Sequence, residues 1–200
     1  MKRFAYKLHL LTWTTDDRDS ENTGGGTGIQ LLNACKNGDR SAQKRLFDML
    51  APKMYSVCLR YMGDRESAED ILQEGFITLF TRLDSFSERG SFEGWARKIF
   101  VNTALMHLRR TDALKLSDDI EVARGLDSET VTPVQDLGYK ELMKMVAALP
   151  AGFRTVFNMY VIEGWSHKDI SEALGISEAT SRSKLQRARL KLQEMIKNNL

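Results

Sequence analysis

The stretch AEDILQEGFITLFTRLDSF constrains the fold more than any other part of the chain. Ala68, Ile71, Leu72, Phe76, Leu79, Phe80 and Leu83 recur at three- and four-residue spacing, the period of a helix with one face in a core. Asp64, just upstream, suits the N-cap of that helix. The preceding segment repeats the pattern with Leu46, Met49, Leu50, Met54, Val57, Cys58 and Tyr61. Pro52 predicts a kink or restart within it and Gly63 its end. After a short loop, SFSERGS, a third helix is expected over FEGWARKIFVNTALMHLRR. No segment between Ile29 and Arg110 alternates with the period of two that a strand requires, so the expected class is all-α.

Composition changes at Thr111. From there to Asp136 the chain carries Asp112, Asp118, Asp119, Glu121, Asp127, Glu129 and Asp136 against Lys115 and Arg124, with Pro133 and little periodicity. An acidic linker is expected over 111–136. Residues 12–28 are polar and end in GGGTG, so residues 1–28 read as a flexible extension. A phosphate loop would need a following Gly-Lys-Ser/Thr, which is missing. Helical periodicity returns after the linker. Leu142, Met145, Val146 and Leu149 form one stripe that Pro150 closes, and Phe153, Val156, Phe157, Tyr160 and Val161 form the next, ended by Gly164. The expected architecture is two small helical domains, 29–110 and 137–200, joined by the flexible linker.

The last 35 or so residues carry the sharpest functional signal. Ser166 and Asp169 have the spacing of a capping box, Gly175 breaks the chain, and Ser177 caps a second, longer, basic helix. Ile170, Leu174, Ile176, Leu185 and Leu192 bind the two helices together, which is the pattern of a helix-turn-helix. Outward near the start of the second helix stand Glu178, Thr180, Arg182, Ser183, Gln186 and Arg187. Arginine can bridge guanine, glutamine can bridge adenine, and serine or threonine can reach either. A solvated basic helix whose cations complement its C-terminal dipole would explain Lys197, but not Arg182 at the positive end. The net charge is only +2, so nucleic-acid affinity has to come from such local clusters rather than from bulk charge.

In the first domain, Phe92, Trp95, Arg97, Lys98, Phe100, His107, Arg109 and Arg110 interleave rings with cations, as a single-strand binding surface does. Trp95, Ile99 and Phe100 also have core spacing, whereas the four cations face an anion. Asp70, Gln73 and Glu74 lie at i, i+3 and i+4 and so share one helix face, either solvated or a protein-docking patch. Other chemistry finds no footing. Cys35 and Cys58 lie far apart without metal-ligand neighbours, so no disulfide is expected and a reducing cytoplasm is the simpler setting. His9, His107 and His167 have no ligand partners in sequence, and no nucleophile motif or paired catalytic carboxylates occur. Neither an enzyme, nor a cofactor, nor a metal site, nor a membrane insertion is expected.

Three blocks in order, AEDILQEGFITLF, LDSFSERGSFEGWARKIFVNTALMHLRR and LPAGFRTVFNMYVIEGWSHKDISEALGISEATSRSKLQRARLKL, resemble bacterial RNA polymerase sigma factors of the extracytoplasmic-function (ECF) group. The resemblance implies that 29–110 is sigma region 2 and 137–200 is sigma region 4. It implies core RNA polymerase as a partner, through the β′ clamp helices and the β flap, with Asp70, Gln73, Glu74 and Phe76 contacting the clamp. It further implies promoter DNA as a partner. Phe86, Ser87, Phe92, Trp95, Arg97, Lys98, Asn102, His107, Arg109 and Arg110 would hold the −10 strand, and the loop from Ser85 to Phe92 would cradle a flipped base. His167, Thr180, Arg182, Ser183, Lys184, Gln186 and Arg187 would read the −35 duplex. An anti-sigma factor is implied as a further partner, and the acidic linker would thread toward the RNA exit path. The different expectation is a one-component helix-turn-helix regulator that acts without polymerase.

The chain departs from that pattern in three places, the first being a tail before Ile29 longer than the family needs. Ser181 stands where an apolar residue, often Val, usually follows the Thr of the recognition helix, so the turn is expected to be looser or the hydroxyl to bond back to a helix carbonyl. Met106 stands where an Asp often precedes the end of the −10 helix.

Overall fold

The computed structural model describes residues 25–87, 90–111 and 134–198, and the described residues form helices without strands. The expected N-terminal extension up to residue 24 and linker residues 112–133 lie outside them, as do Glu88 and Arg89 of the −10 loop.

Helix α1 (Gly25–Lys36) begins inside the glycine run assigned to the extension. Leu31, Leu32, Ala34 and Cys35 pack against the core, and the helix propagates backward from that anchor into residues of poor intrinsic propensity. Helix α2 (Arg40–Met62) starts at Asp39, whose carboxylate accepts hydrogen bonds from the Ser41 and Ala42 amides at 2.8 and 3.2 Å. It runs unbroken through Pro52, which corrects the expected restart. Burial of Leu50, Ala51, Met54 and Val57 on both sides of the proline outweighs one lost hydrogen bond. Gly63 ends the helix with φ +81, and a Cβ there would overlap the Arg154 guanidinium, so glycine is needed for conformation and for space.

Helix α3 (Arg65–Thr81) is capped by Asp64, as expected, and followed by a 3₁₀ turn at Leu83–Ser85. Helix α4 (Phe92–Arg110) starts at Ser91, whose hydroxyl accepts from the Gly94 amide. Helices α2, α3 and α4 pack on one another around Tyr61, Ile71, Leu79, Ala96, Phe100 and Ala104, all fully buried. Gly75 lets α3 approach the Phe100 ring, because a Cβ there would penetrate it.

Helix α5 (Val134–Ala147) and helix α6 (Ala151–Phe157) follow, and α6 passes into a π turn at Asn158–Ile162. The π turn alters the expected stripe. The Glu163 amide bonds back five residues to the Asn158 carbonyl at 2.9 Å, and the extra residue rotates the face. Phe153, Val156 and Phe157 are buried as expected, whereas Tyr160 and Val161 turn out to solvent and Asn158 and Met159 turn in. Helix α7 (His167–Leu174) carries the expected capping box between Ser166 and Asp169 and ends at Gly175 with φ +67. Helix α8 (Glu178–Asn198) is the last described element. Ser181, Leu185, Ala188 and Leu192 form its buried stripe, against α6 and α7.

The later helices do not stand apart from the earlier ones. Helices α5 and α6 pack on α2, and one buried cluster runs through both groups. Arg154, which carries no signal in sequence, pins the junction. Its guanidinium donates to the carbonyls of Tyr61 and Met62 at the end of α2, at 3.0 and 2.6 Å. It also donates to those of Ala147 and Leu149 at the end of α5, at 2.7 and 3.0 Å. One cation thereby satisfies the orphan carbonyls of two helix C-termini. Burial pushes its pKa down to about 10, with Asp64 opposing the shift, so the group keeps its charge at neutral pH.

Candidate nucleic-acid interface

Three polar surfaces are available, each set by the buried stripe behind it. On α8 that stripe leaves Arg182, Ser183, Gln186 and Arg187 exposed together at i, i+1, i+4 and i+5. Thr180 is half-buried, and its amide and hydroxyl both bond the Ser177 hydroxyl, at 3.0 and 2.9 Å, closing the helix start. Lys184 is half-buried with its ammonium 5.6 Å from the Phe153 ring centroid, so its stem braces α8 on α6. Arg182 has a partner on its own helix. Glu178, one turn earlier, accepts from its guanidinium at 2.6 Å and offsets a cation at the positive end of the helix. Both side chains are well exposed, so this pair aims Arg182 more than it stabilises the fold.

Ser181 is fully buried, and its hydroxyl lies 2.9 Å from Nδ1 of His167. This corrects the expectation of a loose turn or a bond to a helix carbonyl. The imidazole is half-buried and stacks on the exposed Tyr160 ring, with centroids 4.5 Å apart and planes 22° from parallel. His167 thus ties the start of α8 to α7 and the π turn, and its Nδ1 is engaged inside the protein. Burial lowers its pKa, reinforced by Arg182 and Arg189 and opposed by Glu178. The neutral ring is favoured by folding, so its contribution to stability is present above the ordinary value of 6.5 and is lost as pH falls through the lower folded value. In an NMR titration His167 should show a midpoint below 6.5; a midpoint at or above it would contradict this account of the ring's surroundings.

On α4, Lys98, Asn102, Met106 and Arg109 are exposed at i, i+4, i+8 and i+11, and Arg110 extends the cationic end. His107 is half-buried beside them. Met106, at the departure from the family pattern, is 50% exposed in this stripe. At the other end of α4, Phe86, Phe92 and Trp95 form a ring cluster with centroids 5.1 to 5.5 Å apart, and the exposed Ser87 follows it. Phe86 is buried and supports the cluster from beneath, whereas Phe92 and Trp95 are half-buried. Arg97 is not on the exposed stripe. Its Nε and Nη2 donate to Glu163 at 2.7 and 2.9 Å, and Arg60 donates to the same carboxylate at 3.2 Å.

On α3, Asp70, Gln73 and Glu74 are exposed and share a face, as expected. Phe76, which the resemblance grouped with them, is a correction, and it keeps the core place that its spacing predicts. It is 4% exposed and packs against Phe47, Phe80 and Phe100 as a core residue. Ile77, one residue on, is the exposed apolar side chain of this face. It is 68% exposed at i+7 from Asp70, an apolar centre on an acidic face that its spacing alone could have found. Among the described residues no cluster of metal-binding side chains forms, and no helix is long and apolar enough to cross a membrane.

Residues 46–113 match the family model Sigma-70 region 2, and residues 139–192 match Sigma-70, region 4. The ECF RNA polymerase sigma-E factor of Haemophilus influenzae is 30% identical over 185 residues, covering 87% of this chain and 95% of that protein. The ECF RNA polymerase sigma factor SigW of Bacillus subtilis is 28% identical over 176 residues, covering 82% of this chain and 93% of that protein. The fold is similar to that of the sigma factor RpoE solved in complex with the anti-sigma factor NepR from Bartonella quintana. The TM-score is 0.51 at 22% identity, over 77% of this chain and 96% of that one.

Proposed function

The chain belongs to the ECF group of RNA polymerase sigma factors, and from that premise we propose that it binds core RNA polymerase and directs initiation by reading −10 and −35 promoter elements. The observation that carries this reading is the α8 surface. Arg182, Ser183, Gln186 and Arg187 stand together over a buried stripe, the disposition in which a recognition helix enters the major groove. Helices α7 and α8 then act as a helix-turn-helix in region 4, over 137–200, with His167 and Thr180 positioning the reading residues.

Region 2, over 29–110, supplies the other two surfaces. The stripe of Lys98, Asn102 and Arg109, with Arg110, holds the backbone of the unpaired strand. The half-buried rings of Phe92 and Trp95 offer stacking to an extruded base, which offsets part of the few kcal/mol lost on unstacking. Two weak contacts at fixed spacing give selectivity that neither has alone. The protein is an initiation factor and no catalyst, works in the cytoplasm, and takes an anti-sigma factor as a further partner. The acidic segment within 111–136 threads toward the RNA exit path.

The face of Asp70, Gln73, Glu74 and Ile77 docks on the β′ clamp helices. Reversing charge by Glu74→Lys should weaken co-purification with core polymerase by about tenfold or more, as for a charge placed against its own sign in an interface. Glu74 is exposed and outside the core, so folding should be unaffected. Undiminished co-purification would remove this face from the docking surface.

A further inference from the structure

The seam between the two groups of helices contains an unusual set of charges. Glu163, at the end of the π turn, is 8% exposed in its side chain, and it meets two guanidiniums from the other side: Arg60 of α2, 13% exposed, and Arg97 of α4, 17% exposed. Arg97 presents the edge formed by Nε and Nη2 to both carboxylate oxygens, the same edge with which arginine grips a phosphate. Burial opposes the charge of Arg97, but the hydrogen bonds and the charge of Glu163 outweigh it and hold the guanidinium above its ordinary pKa.

The seam is also poorly satisfied. Arg60 Nε, the Tyr61 hydroxyl and Asn158 Oδ1 are buried without a hydrogen-bond partner, although Asn158 does donate to the Arg60 carbonyl at 2.8 Å. Each such group disfavours the closed contact by the desolvation it has lost. These groups lower the cost of parting the seam at this point, against the hold of Arg154 and the shared core.

We propose that Arg60 and Arg97 form a binding site for a backbone phosphate of single-stranded promoter DNA, and that Glu163 occupies this site in the closed chain. The inference rests on the reading of α4 as the strand-binding helix and deepens it. DNA is favoured over a protein carboxylate because Lys98, next to Arg97 on α4, begins the exposed cationic stripe that ends at Arg109 and Arg110. Glu163 is then a phosphate mimic carried by the chain itself. Free protein is latched with its own carboxylate on the DNA site, and separation of the two groups of helices uncovers both guanidiniums together.

The test uses the full chain without polymerase, with Glu163→Gln as an isosteric change and a fluorescent single-stranded DNA of mixed sequence as probe. Glu163→Gln should bind the probe at least tenfold more tightly than wild type, with the salt slope steeper by about 0.7 for each phosphate gained. Adding Arg97→Ala should cancel both gains. A gain that survives Arg97→Ala would overturn the proposal, because the uncovered site would lie elsewhere. So would an absent gain in Glu163→Lys, where like charges force the seam apart, provided small-angle scattering shows that it has opened. A gain in affinity for core polymerase with none for DNA would overturn it in favour of a protein carboxylate. Promoter melting by polymerase carrying Arg97→Ala separates the two readings. Undiminished melting removes Arg97 from strand binding altogether, whereas impaired melting beside an absent Glu163→Gln gain leaves that role standing and removes only the latch.

Discussion

Replacing Arg154 by Ala should lower the stability of the closed chain by about 4 kcal/mol, since each buried acceptor left without its donor costs on the order of 1 kcal/mol or more. Four carbonyls depend on this one side chain: Tyr61, Met62, Ala147 and Leu149. All four lie at or just beyond a helix end, where no further turn supplies an amide. The thermal midpoint should fall by roughly 10 °C for a domain of this size. Arg154→Lys should recover only part of the loss, because an ammonium has three donors on one atom and cannot span two helix ends. The test is calorimetry of the full chain. A shift of only one or two degrees for Arg154→Ala would show that the junction is held by its apolar contacts alone.

The second large effect concerns the DNA-facing end. Arg182→Ala together with Arg187→Ala should reduce transcription from −35-dependent promoters by about 10²- to 10⁴-fold, since each specific arginine contact is worth roughly 1–3 kcal/mol. Both side chains are exposed, and the buried stripe of Ser181, Leu185, Ala188 and Leu192 is untouched, so the fold should persist. Loss of Arg182 also leaves Glu178 as an uncompensated anion near the phosphates, which adds to the effect. Binding to core polymerase should be unchanged. Promoter-specific transcription within a few-fold of wild type would contradict the assignment of α8.

Much of this was legible in sequence wherever a local rule decides the outcome. Three- and four-residue spacing gave the helices around Ile71, Met54 and Leu185, and side-chain chemistry gave the caps at Asp64, Ser166 and Ser177. What was not legible depends on contacts distant in sequence. Pro52 lies inside α2 because buried neighbours on both sides hold the helix together. Phe76 carried two expectations, core by its spacing and clamp contact by resemblance, and the packing of Phe47, Phe80 and Phe100 around it makes it core. Tyr160 and Val161 rotated outward because a π turn inserts a residue that no periodicity announces. Ser181 looked like a defect in the recognition helix until His167, fourteen residues earlier, supplied its partner. Arg154 and Glu163 read as ordinary charges in an amphipathic segment. Their partners lie on α2 and α4, and only the packing of α5 and α6 on α2 brings them together.

The central claim, that this chain gives promoter specificity to RNA polymerase, is tested most directly by in vitro transcription. Core polymerase, with and without the protein, would be offered a library of promoters randomised over the −35 and −10 regions. The protein should select transcripts from templates that share two short elements at a fixed spacing, and the preference at the upstream element should vanish with Arg182→Ala and Arg187→Ala. Specific binding of the protein to such templates without polymerase, or transcription that is indifferent to its addition, would contradict the account.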